Sequence, residues 1–337
     1  MIVNNSSEFS LSPEQNGTCW LSIDLVAVMR TSASIYSVLL IASLAGNSLL
    51  IFASLKSNIT MNLLIANVAA SDLLYSIFHF PREIVSQIKG STVFLVHGRI
   101  GHVLCKTCNF TADVTIAVST LSLVLITADR LVAVVFPDQY RRRITVIKRR
   151  FLIFLTWILA MAIHSPYFYT FRLETENGNV VCVSNWGPAF NHKSTHTRYY
   201  TALLVTVLIV PLITVCILQT IILLKLRKHK MGSARSTTAT QRRKKKNKNL
   251  LKMSVVIALA FALCWLPFIA FQFILLFFPS SIPNCSLGFT IFTQFAILFS
   301  LCHCIVNPCI CFIFMHRIRS GLKLRWSMRQ SRKETVL

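Results

Sequence analysis

The sequence predicts an all-α membrane protein: a bundle of seven transmembrane helices, with its N-terminus outside the cell and a short amphipathic eighth helix inside. The first observation behind this fold class is composition. The 337 residues are 54% hydrophobic and only 14% charged, and the mean hydropathy is +0.61. A soluble domain usually has about a quarter of its residues charged, so this chain has too few charges to cover a water-exposed globule. The other two observations are seven long apolar stretches and a one-sided distribution of basic residues.

Each of the seven apolar stretches is long enough to cross a bilayer, which takes about 20 helical residues. We refer to them as spans one to seven, and they lie at approximately 30–55, 61–87, 102–136, 150–171, 199–225, 250–279 and 288–314. Their apolar residues recur with helical spacing, and no alternating ten-residue segments indicate a β-barrel. The predicted organisation is an extracellular tail at 1–29, a membrane bundle at 30–314 and a cytoplasmic segment at 315–337.

The basic residues determine the orientation of this bundle. With the N-terminus outside, the cytoplasmic segments fall at about 56–60, 137–150, 225–252 and 315–337, and they hold 26 of the 35 Lys and Arg residues. This bias follows the positive-inside rule. The net charge of +24 is therefore explained by topology and by contact with anionic membrane lipids, and we expect no nucleic-acid partner.

The segment after span seven predicts the eighth helix. Ile318, Leu322 and Trp326 recur at i, i+4 and i+8, with Arg and Lys between them. That pattern is typical of a helix lying on the inner membrane surface.

Polar residues inside the spans are candidates for function, because such groups are costly in a membrane. They are Asn47, Asp72, Asp113, the pair Asp129-Arg130 and the pair Asn307-Pro308. Taken singly, each could simply hydrogen-bond to a neighbouring helix. No nucleophile–base pair emerges among them, so we expect no enzyme. We also expect no metal at Cys302-His303-Cys304, because neighbours on a helix point in different directions.

In their order and spacing, these residues resemble the rhodopsin-like (class A) G-protein-coupled receptors, closest in character to the neuropeptide type. The resemblance covers essentially the whole chain. It rests on Gly46-Asn47, Ala69-Ala-Ser-Asp72, Cys105, Asp129-Arg130-Leu131, Trp157, Pro211, Phe261-Ala-Leu-Cys264-Trp265-Leu-Pro267 and Asn307-Pro308. It implies a plasma-membrane receptor that binds an extracellular ligand and activates heterotrimeric G proteins.

The resemblance also assigns roles to residues. The activation switch would consist of Asp129, Arg130, Trp265, Pro267, Asn307 and Pro308, and no cofactor is expected beyond an allosteric sodium ion at Asn47, Asp72, Ser119 and Asn307. Two positions depart from the family pattern. Leu131 replaces a Tyr, and Cys311 replaces the Tyr that helps to stabilise the active state, which leaves open a weakly coupling or decoy receptor.

On the outer side, the resemblance implies a disulfide between Cys105 and Cys182, which would hold the second outer loop over the pocket. Cys19 and Cys285 are the remaining outer pair, and a bridge between them resembles one in chemokine receptors. Asn-x-Ser/Thr sequons in the tail predict glycosylation at Asn4, Asn5 and Asn16.

The ligand class stays open between a peptide and a monoamine or other small molecule. The amine-binding Asp of similar receptors would fall at Ala112, and Asp113 is turned by about 100° around the helix. The long second outer loop and the acidic residues on the outer side favour a basic or amidated peptide. The candidate ligand-binding residues are Asn109, Ala112, Asp113, Ile116, Phe268, Gln272 and Ile297.

The C-terminal residues Thr335, Val336 and Leu337 fit a class I PDZ ligand, and hydroxyl residues before them are potential kinase sites for arrestin recruitment. A transporter is the competing class, which an odd number of spans and the lack of internal repeats argue against.

Overall fold

A computed structural model describes residues 23–55, 62–89, 93–136, 145–176, 178–229, 238–281 and 286–314. Within these ranges, seven helical segments are long and apolar enough to cross a membrane, which confirms the predicted fold class. The eighth helix, predicted within 315–337, lies outside the described residues.

The spans agree with the sequence prediction to within a few residues, except that spans one, five and six begin earlier than predicted. Spans one to three are Ile23–Leu55, Asn62–Lys89 and Gly98–Val135. Span four is Val146–His164 and is followed by a short helix, Tyr167–Thr170. Span five consists of His192–Leu203, a π-helical turn Leu204–Ile209 and Val210–His229, and spans six and seven are Thr238–Phe277 and Leu287–Phe314. Span six begins twelve residues earlier than predicted, so the basic stretch before it is helical.

Span three is the central helix. It packs against spans two, four, five and six, and every residue from Ala112 to Thr120 is buried. Spans two and four are joined to it by a hydrogen-bonded chain: Trp157 Nε1 donates to Asn67 Oδ1 at 2.9 Å, and Asn67 Nδ2 donates to Ser122 Oγ at 2.8 Å. Polar contacts of this kind commonly hold transmembrane helices together, because lipid offers no alternative partner.

The prolines interrupt the helices locally. The π-helical turn Leu204–Ile209 directly precedes the helix that contains Pro211. Proline lacks an N–H and its ring clashes with the carbonyl four residues earlier, so a widened turn at this place relieves the clash. Pro267 and Pro308, two of the predicted switch residues, lie inside spans six and seven, where they can act as hinges.

The second outer loop forms a β-hairpin over the outer end of the bundle. Strand β1 (Phe171–Glu176) pairs antiparallel with strand β2 (Asn179–Ser184), and Gly178 turns between them with a φ of 77°. The predicted disulfide between Cys105 and Cys182 is present, with 5.7 Å between the Cα atoms. It fixes β2 to the outer end of span three.

Candidate functional site

The outer half of the bundle encloses a cavity. Its lining consists of Tyr75, His79, Ile116, Trp265, Phe268, Ile297 and Ser300. Trp265, the predicted switch, is fully buried there and packs edge-on against Phe268, with 5.6 Å between the ring centroids. Three of the predicted ligand residues therefore surround one space with the predicted switch, although ligand binding itself stays a prediction.

The other predicted ligand residues lie near this cavity without lining it. Asn109 donates to the carbonyl of Cys105 at 2.7 Å and accepts a hydrogen bond from Arg82. Ala112 and Gln272 are both buried. Asn109 also contacts the hairpin, since its Nδ2 lies 3.4 Å from Cys182 Sγ.

Asp113 is directed towards span four. Tyr167 Oη donates to Asp113 Oδ2 at 2.5 Å, and both side chains are buried. The ring of His164 packs edge-on against Tyr167 at 5.4 Å. A carboxylate held in this way is a poor first partner for an amine ligand in the cavity, because its hydrogen bond to Tyr167 would have to be replaced.

Glu83, which was counted among the acidic residues of the outer side, is a second buried carboxylate. Glu83 is 2% exposed, and it lies 3.6 Å from Arg82 Nη2 and 3.8 Å from His79 Nε2. Within the described residues, Glu83 Oε1 has no hydrogen-bond partner. His79 also lines the cavity, so this carboxylate lies one helical turn beyond it. His79, Arg82 and Glu83 all fall within predicted span two, so the cost of placing ionisable groups in a membrane was the signal that could have identified them as functional candidates.

Asp72 lies at the centre of the bundle, below Trp265, and is fully buried. Ser119 Oγ donates to Asp72 Oδ1 at 2.8 Å, and Asn307 Nδ2 donates to Asp72 Oδ2 at 2.8 Å. Three of the four predicted sodium-site residues are thus in contact. They join spans two, three and seven.

The fourth predicted member, Asn47, binds span seven instead. Its Nδ2 donates to the carbonyl of Cys304 at 2.8 Å. Pro308 lies four residues after Cys304 and has no N–H, so that carbonyl lacks its normal helical partner. Asn47 supplies the missing hydrogen bond, and it therefore stabilises the proline hinge.

Two further side chains face Asp72, and the sequence analysis did not connect them with it. His303 Nε2 lies 3.9 Å from Asp72 Oδ1, and Cys304 Sγ lies 3.3 Å from His303 Nε2. Sodium is a hard cation, and hard cations favour oxygen ligands. Nitrogen and sulfur beside the carboxylate therefore fit a sodium ion poorly.

The predicted switch residues Asp129 and Arg130 form an ion pair at the inner end of span three, and Arg149 joins them as an unexpected third member; we call these three residues the inner latch. Arg130 Nη2 donates to Asp129 Oδ2, while Arg149 donates to Asp129 Oδ1 through Nε at 3.0 Å and Nη2 at 2.6 Å. All three side chains are buried. Arg149 belongs to the first turn of span four, which begins at Val146, whereas the predicted start at 150 placed Arg149 in the preceding loop.

Cys311 faces the interior of the bundle between these two polar clusters. It is 2% exposed and lines an inner cavity together with Leu50, Ser119, Phe261 and Asn307. The residue that replaces the family's Tyr is thus positioned inside the region that rearranges in a switching receptor. The predicted Cys19–Cys285 bridge, the tail sequons and the C-terminal motif lie outside the described residues.

The chain is similar to a known protein family and to individual receptors. Residues 46–310 match the family model described as 7 transmembrane receptor (rhodopsin family). The chain is 26% identical over 242 residues to the QRFP-like peptide receptor of Branchiostoma floridae, covering 69% of this chain and 61% of that receptor. It is 27% identical over 328 residues to neuropeptide Y receptor type 6 of Oryctolagus cuniculus, covering 91% of this chain and 80% of that receptor. It is 26% identical over 295 residues to the substance-K receptor of Canis lupus familiaris, covering 87% of this chain and 74% of that receptor.

Proposed function

The chain belongs to the rhodopsin family of seven-transmembrane receptors, and from this premise we propose that it is a plasma-membrane receptor that binds an extracellular peptide and activates heterotrimeric G proteins. The observation that carries the proposal is the continuity of span three. Ile116 lines the outer cavity, and Asp129 and Arg130 form the buried ion pair at the inner end of the same helix. A ligand in the cavity and a G protein at the inner face would therefore act on one rigid element.

Two features support a peptide rather than an amine. Relatives whose names identify them as neuropeptide receptors align with most of the chain. Asp113 accepts a hydrogen bond from Tyr167, whereas the buried Glu83 beside the cavity is ion-paired with Arg82 at 3.6 Å and its Oε1 has no hydrogen-bond partner within the described residues. We expect a cationic group of the peptide, such as an arginine side chain, to enter the cavity and approach Glu83, because a desolvated carboxylate gains most from an opposite charge.

Signal transmission would be a shift between two packed states rather than bond-making chemistry. A ligand touching Trp265 would favour outward movement of span six about Pro267. Arg130 would then leave Asp129 and open an inner cleft for the G protein. The sodium ion implied by the resemblance has no part in this scheme, because two of the groups beside Asp72, the His303 ring nitrogen and the Cys304 sulfur, are poor sodium ligands.

The test is guanine-nucleotide exchange on purified G proteins by the full-length receptor, screened with basic and amidated peptides and with monoamines. We expect a peptide to stimulate exchange, and Arg130→Ala to abolish the stimulation. Glu83→Gln should weaken the peptide response by tenfold or more, whereas Asp113→Asn should change it little. A monoamine response lost in Asp113→Asn would instead favour the amine alternative, and ligand-dependent uptake or current without exchange would establish a transporter.

Cys311 favours one second candidate, a weakly coupling or decoy receptor, because a thiol replaces the hydroxyl expected at this buried position. Cys311→Tyr should then increase maximal exchange. If the substitution leaves exchange unchanged, the thiol does not limit coupling.

Arrestin and a PDZ-domain protein are further proposed partners, through the hydroxyl residues and the terminal carboxylate of the cytoplasmic tail. Deleting Leu337 should abolish binding of the tail to a PDZ panel. Binding that survives the deletion would exclude this mode.

A further inference from the structure

We infer that Asp72, His303 and Cys304 form a binding site for a borderline-soft divalent metal ion, of which Zn²⁺ is the best match. The site occupies the place where the family resemblance implies sodium. The inference does not depend on the identity of the ligand or of the G protein.

The first argument is the geometry of the three donor atoms. One carboxylate oxygen, one imidazole nitrogen and one sulfur lie within 4.8 Å of one another, and all three residues are buried. His303 Nε2 lies 3.3 Å from Cys304 Sγ and 3.9 Å from Asp72 Oδ1. Ligand atoms around a tetrahedral zinc ion are about 3.3–3.6 Å apart, given Zn–N and Zn–O bonds of about 2.0–2.1 Å and a Zn–S bond of about 2.3 Å. Small side-chain movements would therefore complete the site.

The second argument is the orientation of the histidine ring. His303 Nδ1 lies against the carbonyl oxygen of Ser300, to which an N–H at this position donates. With Nδ1 protonated, Nε2 carries the lone pair, and Nε2 is the ring nitrogen nearer to Cys304 Sγ, at 3.3 Å against 3.9 Å for Nδ1. Metal-binding histidines in proteins are typically oriented in this way, with the second ring nitrogen donating to a carbonyl or carboxylate.

The third argument is support from the surrounding groups. Ser119 and Asn307 each donate to Asp72 at 2.8 Å, which fixes the carboxylate. The rings of Tyr75 and Trp265 pack on His303, with centroid distances of 5.2 and 5.1 Å. The Ser119 hydroxyl or a water molecule can supply the fourth ligand that zinc usually has.

Donor chemistry selects the metal. Oxygen, nitrogen and sulfur together suit Zn²⁺, whereas Na⁺ and Mg²⁺ favour oxygen alone. On binding, Cys304 releases its thiol proton to water and coordinates as a thiolate, and His303 coordinates as the neutral imidazole. No oxidation or reduction is involved.

The sequence-based expectation excluded a metal at Cys302-His303-Cys304, since consecutive helix residues diverge. In the structure, Cys302 is outside the cluster and span two contributes Asp72 instead. Cys302 is therefore a matched control, being a partly buried thiol adjacent to the site.

If the proposed receptor function holds, bound zinc would stabilise the resting state. It would join span two to span seven through Asp72 and the pair His303 and Cys304. It would also fix the ring of His303 against Trp265, the predicted switch. Basal nucleotide exchange should then fall as zinc is added.

The experiment measures thermal unfolding of the purified full-length protein by intrinsic tryptophan fluorescence, during titration with ZnCl₂, MgCl₂ or NaCl. We expect Zn²⁺ alone to raise Tm in a saturable way, by about 5 °C at a hundredfold excess over Kd. His303→Asn and Cys304→Ser should lose the shift, and Cys302→Ser should retain it. A shift that persists in His303→Asn would assign the zinc to other donors, such as the neighbouring pair His192 and His196, whose ring centroids are 5.3 Å apart, and would overturn the proposal.

A second measurement uses the wild-type protein, so it tests the site even if the variants fail to fold. X-ray absorption of the zinc-loaded wild-type protein should show one sulfur at about 2.3 Å and nitrogen or oxygen ligands at about 2.0–2.1 Å. A sulfur-free ligand shell, or a Tm increase with NaCl and none with ZnCl₂, would refute the site. Neither measurement uses an agonist or a G protein, so its failure is distinguishable from failure of the proposed receptor function.

Discussion

Replacing Arg149 with alanine tests the structure of the inner latch. Arg149 makes two hydrogen bonds to Asp129 Oδ1, at 3.0 and 2.6 Å, while Arg130 binds the other carboxylate oxygen. If activation moves Arg130 away, Arg149 remains to compensate the charge of Asp129. In Arg149→Ala, the same movement would leave a buried carboxylate without this partner, so the active state should become less favourable.

The magnitude follows from these contacts. A hydrogen bond to a charged group contributes about 1.5–3 kcal/mol, and Arg149 makes two that share one oxygen. Water entering from the cytoplasmic side offsets part of the loss when the latch opens. We therefore expect the active state to be destabilised by about 2 kcal/mol relative to the resting state, which corresponds to a roughly 30-fold lower basal activity.

The assay is agonist-free nucleotide exchange on purified G protein, normalised to receptor amount. Arg149→Lys should give an intermediate value, because lysine keeps the charge but cannot present the guanidinium fork. Arg150→Ala is the matched control, since Arg150 is the adjacent cation and is exposed. Basal exchange that is unchanged or higher in Arg149→Ala, at normal thermal stability, would refute the reasoning.

Three further substitutions test the packing of the bundle by thermal unfolding. Cys182→Ser removes a cross-link between residues 77 apart in sequence, and should lower the free energy of unfolding by about 4 kcal/mol; an unchanged Tm would contradict this. Gly46→Val places a side chain where a Cβ atom would already lie 3.2 Å from Pro308, which should destabilise by about 1–3 kcal/mol, and Gly46→Ala by less. Asn47→Ala leaves the Cys304 carbonyl without its donor, which should lower stability by about 1–3 kcal/mol; a neutral result would indicate that another group satisfies it.

Much of the fold could be predicted from the sequence because the relevant signals are local. Each span is a continuous apolar stretch, and its predicted bounds agree with the structure to within a few residues except at the start of spans one, five and six. The disulfide between Cys105 and Cys182 came from family resemblance and is confirmed. Resemblance also identified Asp72, Ser119 and Asn307 as neighbours.

The partners of the buried charges were less predictable. Asp113 and Glu83 are both acidic, yet Asp113 binds Tyr167 and Glu83 lies beside the cavity. Arg149 was assigned to a loop because the predicted helix began at 150, four residues after the observed start at Val146. His303 was considered only with its chain neighbours, because sequence spacing contains no information about a contact 231 positions away from Asp72.

The sequence alone therefore determined the number, order and orientation of the helices, since apolar length and the side of the basic residues are properties of each segment by itself. Tertiary structure decided which polar groups meet, including Arg149 with Asp129 and the pair His303 and Cys304 with Asp72. The physical reason is that such contacts depend on the rotation and crossing of packed helices. A turn of about 100° per residue directs neighbouring side chains to different partners, and only the assembled bundle determines which partner is reached.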